Sequence, residues 1–315
     1  MNMRVRRSAI VCRTLAWLSA AVASLGGAAS CLPVDTRLPP GSLFLALVSD
    51  DEPSIMTADG WSISVDRLFL GIGHASLGEG CTRYSDDDYD RLLDGRLPAA
   101  QKVGVLYGLG QCDFQFVIRS PSPNTVLGAG VTEADKMQMG IWDDREPHLH
   151  DNSALDFAAT ATRGGETKHV RWMISQSTSY LDCARQTEGG SRLMRLESSE
   201  NVTLHVGIRG VELFGNDQST TAELRFDPFV YADDEFGDGD GNVTLQELAR
   251  VDVQRLLSFG PFSGLNILHD PFGGFTSLEQ YLYFVLLPKI ARFRENVTCR
   301  TQRGFGSRRP APPPQ

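Results

Sequence analysis

The sequence predicts a mainly β protein: an antiparallel β-sandwich with a C-terminal helical portion. Apolar residues alternate with a period of two from Ser42 to about Phe226, and clusters of Gly, Ser, Asp and Pro separate the runs. After Phe226 the period lengthens to that of a helix. About eight to ten short strands without long intervening helices favour two packed antiparallel sheets. The 315 residues, 41% hydrophobic and 22% charged, suffice for such a core.

Taken in order, the alternating sets begin with Leu43, Leu45 and Leu47. Ile63 and Val65 follow, then Leu68, Leu70 and Ile72, and then Val103 and Val105. Cys112, Phe114, Phe116 and Ile118 form the next set, and Val170, Trp172 and Ile174 another. Val202, Leu204, Val206 and Ile208 come last, with Leu224 and Phe226 closing the β portion. Two short helical insertions are expected, one at residues 89–93 after Ser85 and its three aspartates, the other after Thr132. Asp227-Pro228 reads as a helix start, an N-cap followed by proline in the first turn. Leu245, Leu248, Ala249 and Leu256 recur at helical spacing. Residues 276–279 (Thr-Ser-Leu-Glu) form a capping box that opens a helix through Phe293, bent at Pro288.

The N-terminus has the layout of an export signal. Arg4, Arg6, Arg7 and Arg13 precede an apolar run at about residues 15–25, and Gly26 to Ser30 are small. The run is shorter than the ~20 residues a membrane span needs. Small residues directly before Cys31 resemble the lipobox of bacterial lipoproteins, although the residue three before the cysteine is Ala28 rather than leucine. That resemblance implies lipidation of Cys31 and a membrane partner through the lipid, in the outer membrane or periplasm. Ordinary cleavage near Ala29 or Ser30, giving a soluble secreted protein, is the alternative. The expected organisation is a signal peptide at residues 1–30, a Pro-rich tether at 31–41, the sandwich at 42–226, the helical segment at 227–300 and a disordered tail at 301–315.

Cysteine usage agrees with export. Cys81, Cys112, Cys183 and Cys299 make an even set with no CxxC, which reads as two disulfides with three possible pairings. One of them is expected to tie the final helix to the body through Cys299. The net charge of −9 argues against nucleic acid as a partner, and removal of the four signal arginines takes it to about −13.

The strongest motif lies at residues 233–248, where Asp238, Gly239, Asp240, Gly241, Asn242, Val243, Thr244 and Glu247 resemble an EF-hand calcium loop. On a twelve-residue loop ending at Glu247, Asp238 and Asp240 take the third and fifth positions, and Gly241 takes the sharp turn. Asn242 offers a backbone carbonyl, Val243 plugs into the core, Thr244 holds a water and Glu247 binds through both oxygens. A hard cation wants six to eight such oxygens. Phe236 stands where the first aspartate belongs. Three readings stay open: Asp234 supplies the missing oxygen, the site binds with one ligand fewer, or the loop is a relic that binds nothing.

The wider chain resembles a family of uncharacterised bacterial lipoproteins that pair a tethered β body with a terminal calcium loop. The likeness rests on runs such as Leu106-Tyr107-Gly108-Leu109-Gly110-Gln111-Cys112-Asp113-Phe114 and Gly128-Ala129-Gly130-Val131-Thr132-Glu133-Ala134-Asp135-Lys136. It implies no activity.

A weaker candidate is a copper or zinc site at His148 and His150, with His74, His169 or His205 completing it. His205 itself is expected to face solvent. GxSxG, HExxH, P-loop and dinucleotide patterns are missing from the sequence, so a hydrolase would need a carboxylate pair that no motif announces. The formal sequons at Asn201, Asn242 and Asn296 read as coincidence. The expectation is an exported, lipid-anchored, calcium-binding and non-enzymatic protein, with no protein or glycan partner named by the sequence.

Overall fold

Leu43, Leu45 and Leu47 are all buried on β1 (Gly41–Ser49), so the first alternating run is a strand with its leucine face inward, and Ala46 and Val48 on the opposite face are buried as well. The computed structural model describes residues 38–304, apart from residues 79, 87–89, 141–151, 188–189, 218, 220 and 259–273. The signal, Cys31, His148, His150 and residues 305–315 lie outside the described residues.

After β2 (Ile55–Met56) comes β3 (Ser62–Leu77), where the buried set changes parity twice. Trp61 and Ile63 face the core, then Leu68, Leu70 and Ile72, then Ala75 and Leu77. The pairing register shifts between Val65 and Arg67 and again between Gly73 and Ser76, where His74 adopts φ 47°. An extra residue in a strand flips its later side chains to the other face, so these bulges account for the parity changes in the sequence.

β4 (Cys81–Asp86) is followed by β5 (Arg91–Asp94), antiparallel to β3, where a helix was expected. Burial of Leu92 and Leu93 against the sheet overrides the acidic helix-start signal before them. β6 (Gln101–Cys112), β7 (Phe114–Ile118) and β8 (Val126–Leu127) lead to α1 (Glu133–Met139), the short helix expected after Thr132, which Thr132 and Asp135 close with a capping box. β9 (Leu155–Arg163) and β10 (Glu166–Ile174) make a hairpin. β11 (Ser177–Thr187), β12 (Gly190–Arg192), β13 (Met194–Leu196) and β14 (Asn201–Ile208) complete the β body. Leu224 makes only an isolated bridge to Gly215, so residues 224–226 are not a strand.

The helical portion comprises α2 (Asp227–Phe236), the two-residue β15 (Asn242–Val243), α3 (Leu245–Arg250), α4 (Val253–Ser258) and α5 (Leu278–Tyr281). Ser277, not Thr276, caps α5, its side chain accepting from the Gln280 N–H. The helix runs on as a π turn and then a 3-10 turn containing Pro288, and ends at Lys289 instead of Phe293. Residues 291–293 become β16 (Ala291–Phe293) and pair with β14. The chain then forms β17 (Val297–Gly304), which extends four residues into the segment expected as a tail.

Two sheets result. One runs β13-β6-β1-β14-β16, with β4 beside β6; the other runs β12-β11-β7-β3-β9-β10-β15, with β17 beside β11. The expectation of purely antiparallel sheets is corrected: β1 pairs with β14, β5 with β8 and β10 with β15 in parallel. A parallel partner needs a long crossover, and 151 residues separate the two ends of the β1–β14 register, beyond the reach of a local pattern. Residues from both sheets and the helical portion share one hydrophobic core. At its centre Phe157, Trp172, Phe214, Phe226 and Phe229 pack with neighbouring ring centroids 5.3–5.9 Å apart, joining β9 and β10 to α2.

The four cysteines form Cys81–Cys112, between β4 and β6, and Cys183–Cys299, between β11 and β17. Cys299 therefore ties a strand, not a helix, to the body. Two disulfides indicate an extracellular or periplasmic environment. Among the described residues no helix is long and apolar enough to cross a membrane.

Candidate metal centre

The start of α2 is fixed from the sheet side. Asp59 Oδ2 accepts the backbone N–H groups of Phe226 (2.7 Å) and Asp227 (2.8 Å), so Asp59 does the work expected of Asp227 as a cap. Asp227 instead accepts the indole N–H of Trp61 at 2.8 Å and pairs with Arg163. The helix then buries Phe229, Val230, Ala232 and Asp233.

The loop after α2 turns at Gly239 (φ 67°) and Gly241 (φ 85°), left-handed conformations that favour glycine. Val243 is buried and pairs with Val170 of β10. His169 donates its backbone N–H to the Gly241 carbonyl at 2.7 Å, and Trp172 donates its indole N–H to the Val243 carbonyl at 3.0 Å. Thr244 and Glu247 then cap α3 reciprocally: Glu247 Oε2 accepts from the Thr244 N–H at 2.7 Å, and Thr244 Oγ1 accepts from the Glu247 N–H at 3.3 Å.

Asp233, Asp238 and Asp240 each bring a carboxylate oxygen to within 4.8 Å of the other two, the only such group of His, Cys, Asp or Glu among the described residues. Asp233 is fully buried. Its Oδ2 accepts from Lys168 Nζ at 2.7 Å and from the Gly241 N–H at 3.1 Å, while its Oδ1 has no hydrogen-bond partner. A buried carboxylate oxygen without a donor is costly, and such an atom needs an explanation. Asp238 Oδ1 accepts from the Asp240 N–H at 3.3 Å. The side-chain amide of Asn242 (2.9 Å) and its backbone N–H (2.7 Å) both donate to Asp240 and hold that carboxyl below the usual range.

Lys168 reaches this group from β10. Its buried ammonium lies 2.7 Å from Asp233, 2.6 Å from Asp234 Oδ1 and 3.6 Å from Glu166. Burial works against its charge, but the bonds to Asp233 and Asp234 outweigh it and hold the ammonium well above the ordinary lysine range.

The sequence-predicted residues divide. Asp238 and Asp240 belong to the group. Asp234, half exposed, turns to Lys168, and Asp233 supplies the third carboxylate instead. Asp233 follows the buried Phe229 and Val230 by four and three residues, so helical periodicity was a signal that could have found it. Phe236 packs its ring 5.6 Å from that of Tyr231, and its carbonyl accepts from Arg250 Nη1 at 2.8 Å. Asn242 is engaged with Asp240, and Thr244 with Glu247. Glu247 is buried with Oε1 so close to Gly237 that a Cβ there would lie 2.2 Å away. Three carboxylates, one with an orphaned oxygen, fit part of the six to eight oxygens of a hard cation; backbone carbonyls and water would supply the rest.

The described histidines each have other engagements. His74 Nε2 meets Arg119 at 2.7 Å, His169 Nδ1 meets Thr160 at 3.3 Å, and His205 Nδ1 meets Glu295 at 2.6 Å. No protein-family model matches the chain, and neither the curated proteins nor the solved structures include a match.

Proposed function

We propose that this is an exported, lipid-anchored, non-enzymatic calcium-binding protein of the bacterial outer membrane or periplasm. Calcium in an EF-hand-like loop would clamp its helical segment to the β-sandwich. The observation that carries the reading is that fully buried Asp233, whose Oδ1 has no hydrogen-bond partner, is grouped with the exposed Asp238 and Asp240. Closely spaced carboxylates repel one another, Lys168 offsets this at Asp233 but has no bond to Asp238 or Asp240, and calcium takes oxygen ligands without strict geometry. The loop is fastened to β10 on one side and continues into α3 on the other, so an ion there would join two parts of one core. Export is supported by the two disulfides and by the basic, apolar and small-residue order before Cys31.

Calcium titration of the mature protein by calorimetry tests the reading. The expected dissociation constant is about 10⁻⁴–10⁻³ M, the range of extracellular calcium modules. Asp233→Asn is expected to weaken binding at least tenfold. Absence of binding by the wild type, or unchanged affinity in both Asp233→Asn and Asp240→Asn, overturns it. Glu247→Gln reports whether Glu247 leaves its capping role to bind the ion: a loss of affinity supports EF-hand-type coordination, and no change removes it. Mass spectrometry of the mature N-terminus decides the anchor, with acyl chains expected on Cys31.

A further inference from the structure

We propose that Lys168 is a tethered competitor for the free ion, occupying Asp233 in the empty site and setting the affinity with which a divalent cation enters. This inference rests on the calcium reading above and concerns the regulation of the same site.

Lys168 cannot withdraw by moving its backbone. The next two residues, His169 and Val170, are in register with Asn242 and Val243 of the loop itself. The ammonium is therefore delivered to Asp233 by the same strand that holds the loop. An ion among Asp233, Asp238 and Asp240 would share the Asp233 carboxylate with it: Oδ2 already takes the ammonium, and Oδ1 has no partner. Two cations bridged by one carboxylate repel, most strongly at the buried Asp233–Lys168 end, since Asp238 and Asp240 are exposed.

The site also contains the means to relieve that repulsion. Asp234, 49% exposed, already accepts from the ammonium at 2.6 Å, and Glu166, 45% exposed, lies 3.6 Å away. Lys168 can shift toward these rim carboxylates and release Asp233 without losing its counter-charge. In the empty state the same ammonium compensates the buried Asp233, which would otherwise be an unpaired buried charge.

The test is Lys168→Gln in the mature protein, with calcium chloride as the probe, followed by calorimetry and by thermal unfolding with calcium or with chelator. The variant is expected to bind calcium at least tenfold more tightly than the wild type. Its Tm in chelator should fall, and the rise in Tm on adding calcium should exceed that of the wild type. Lys168→Met, which keeps the apolar stem, should behave alike. If the wild type binds calcium and both variants bind no more tightly, the inference is overturned while the calcium reading stands. If only the variants bind, lysine has taken the place of the ion: the inference holds, and the calcium reading of the wild type fails. Binding by none of the three overturns both. Failure of both variants to fold in calcium overturns the inference, because the ion then cannot replace the ammonium.

Discussion

Trp172 donates its indole N–H to the backbone carbonyl of Val243 at 3.0 Å, and both residues are buried. The bond joins the C-terminal part of β10 to the residue that plugs the acidic loop into the core. The Trp172 ring also packs against Phe229 of α2 at 5.5 Å, so one side chain holds the loop and the helix before it. The candidate metal centre is thus built onto the sandwich, not appended to it.

Trp172→Phe should therefore be costly. It removes the donor from a buried carbonyl and leaves a void beside Phe157, Phe214 and Phe229. The expected destabilisation is about 2–4 kcal/mol by urea unfolding. Amide hydrogen exchange at Val243 and Thr244 should rise more than exchange in β1. A uniform rise across both sheets would show that Trp172 supports the core without holding the loop in particular.

How much of this was legible depended on the range of the interaction. Leu43, Leu45 and Leu47 announce β1 because side-chain alternation is local. β9 escaped notice because alanines fill much of its inward face, and Ala159 and Ala161 give a weak strand signal although both are buried. β17 escaped because only Val297 and Cys299 are apolar in it. Asp238 and Asp240 were readable from loop spacing, whereas Asp233 required following the buried face of α2. The contact of Lys168 with Asp233 spans 65 residues and depends on the parallel pairing of β10 with β15, which no local pattern contains.

Gly237 provides a test of the loop's packing that is independent of any ion. A Cβ there would lie 2.2 Å from Glu247 Oε1 and 2.6 Å from the Asp233 carbonyl. That carbonyl is not free to retreat, since it accepts the N–H groups of Gly237 and Gly239 at 3.1 and 3.2 Å. Gly237→Ala is expected to cost about 1–3 kcal/mol through overpacking. In a double-mutant cycle with Glu247→Ala the two costs should be less than additive, because removing the carboxylate relieves part of the clash. Additive costs would mean that the clash with Glu247 is not what glycine avoids.

The two disulfides should differ in their contribution to stability. Cys183–Cys299 spans 116 residues and Cys81–Cys112 spans 31. Loop entropy alone assigns about 5 kcal/mol to the longer closure and about 4 kcal/mol to the shorter. Replacing each pair with alanine and measuring chemical unfolding should show the larger loss for the Cys183 and Cys299 pair. The reverse order would place the stabilisation in the folded-state environment of Cys81–Cys112.

The contact between β14 and the turn joining β16 to β17 should be visible in the pH dependence of stability. Glu295 accepts from the His205 ring at 2.6 Å and from the His205 backbone N–H at 2.8 Å. Burial pushes the Glu295 carboxyl up, but the bonds from His205 outweigh this and hold it below its ordinary value. A carboxyl depressed in the folded state contributes stability above its unfolded pKa, and that stability is lost as pH falls through the folded value. Partial exposure limits the effect to about 0.5–1 kcal/mol. Urea unfolding of the wild type and Glu295→Gln across pH should therefore show a gap at pH 6–7 that narrows as pH drops below ~4, where the unfolded glutamate also takes up its proton. A gap that stays constant into the acid range would mean that shape and hydrogen bonding, not the ionised carboxylate, account for what Glu295 contributes.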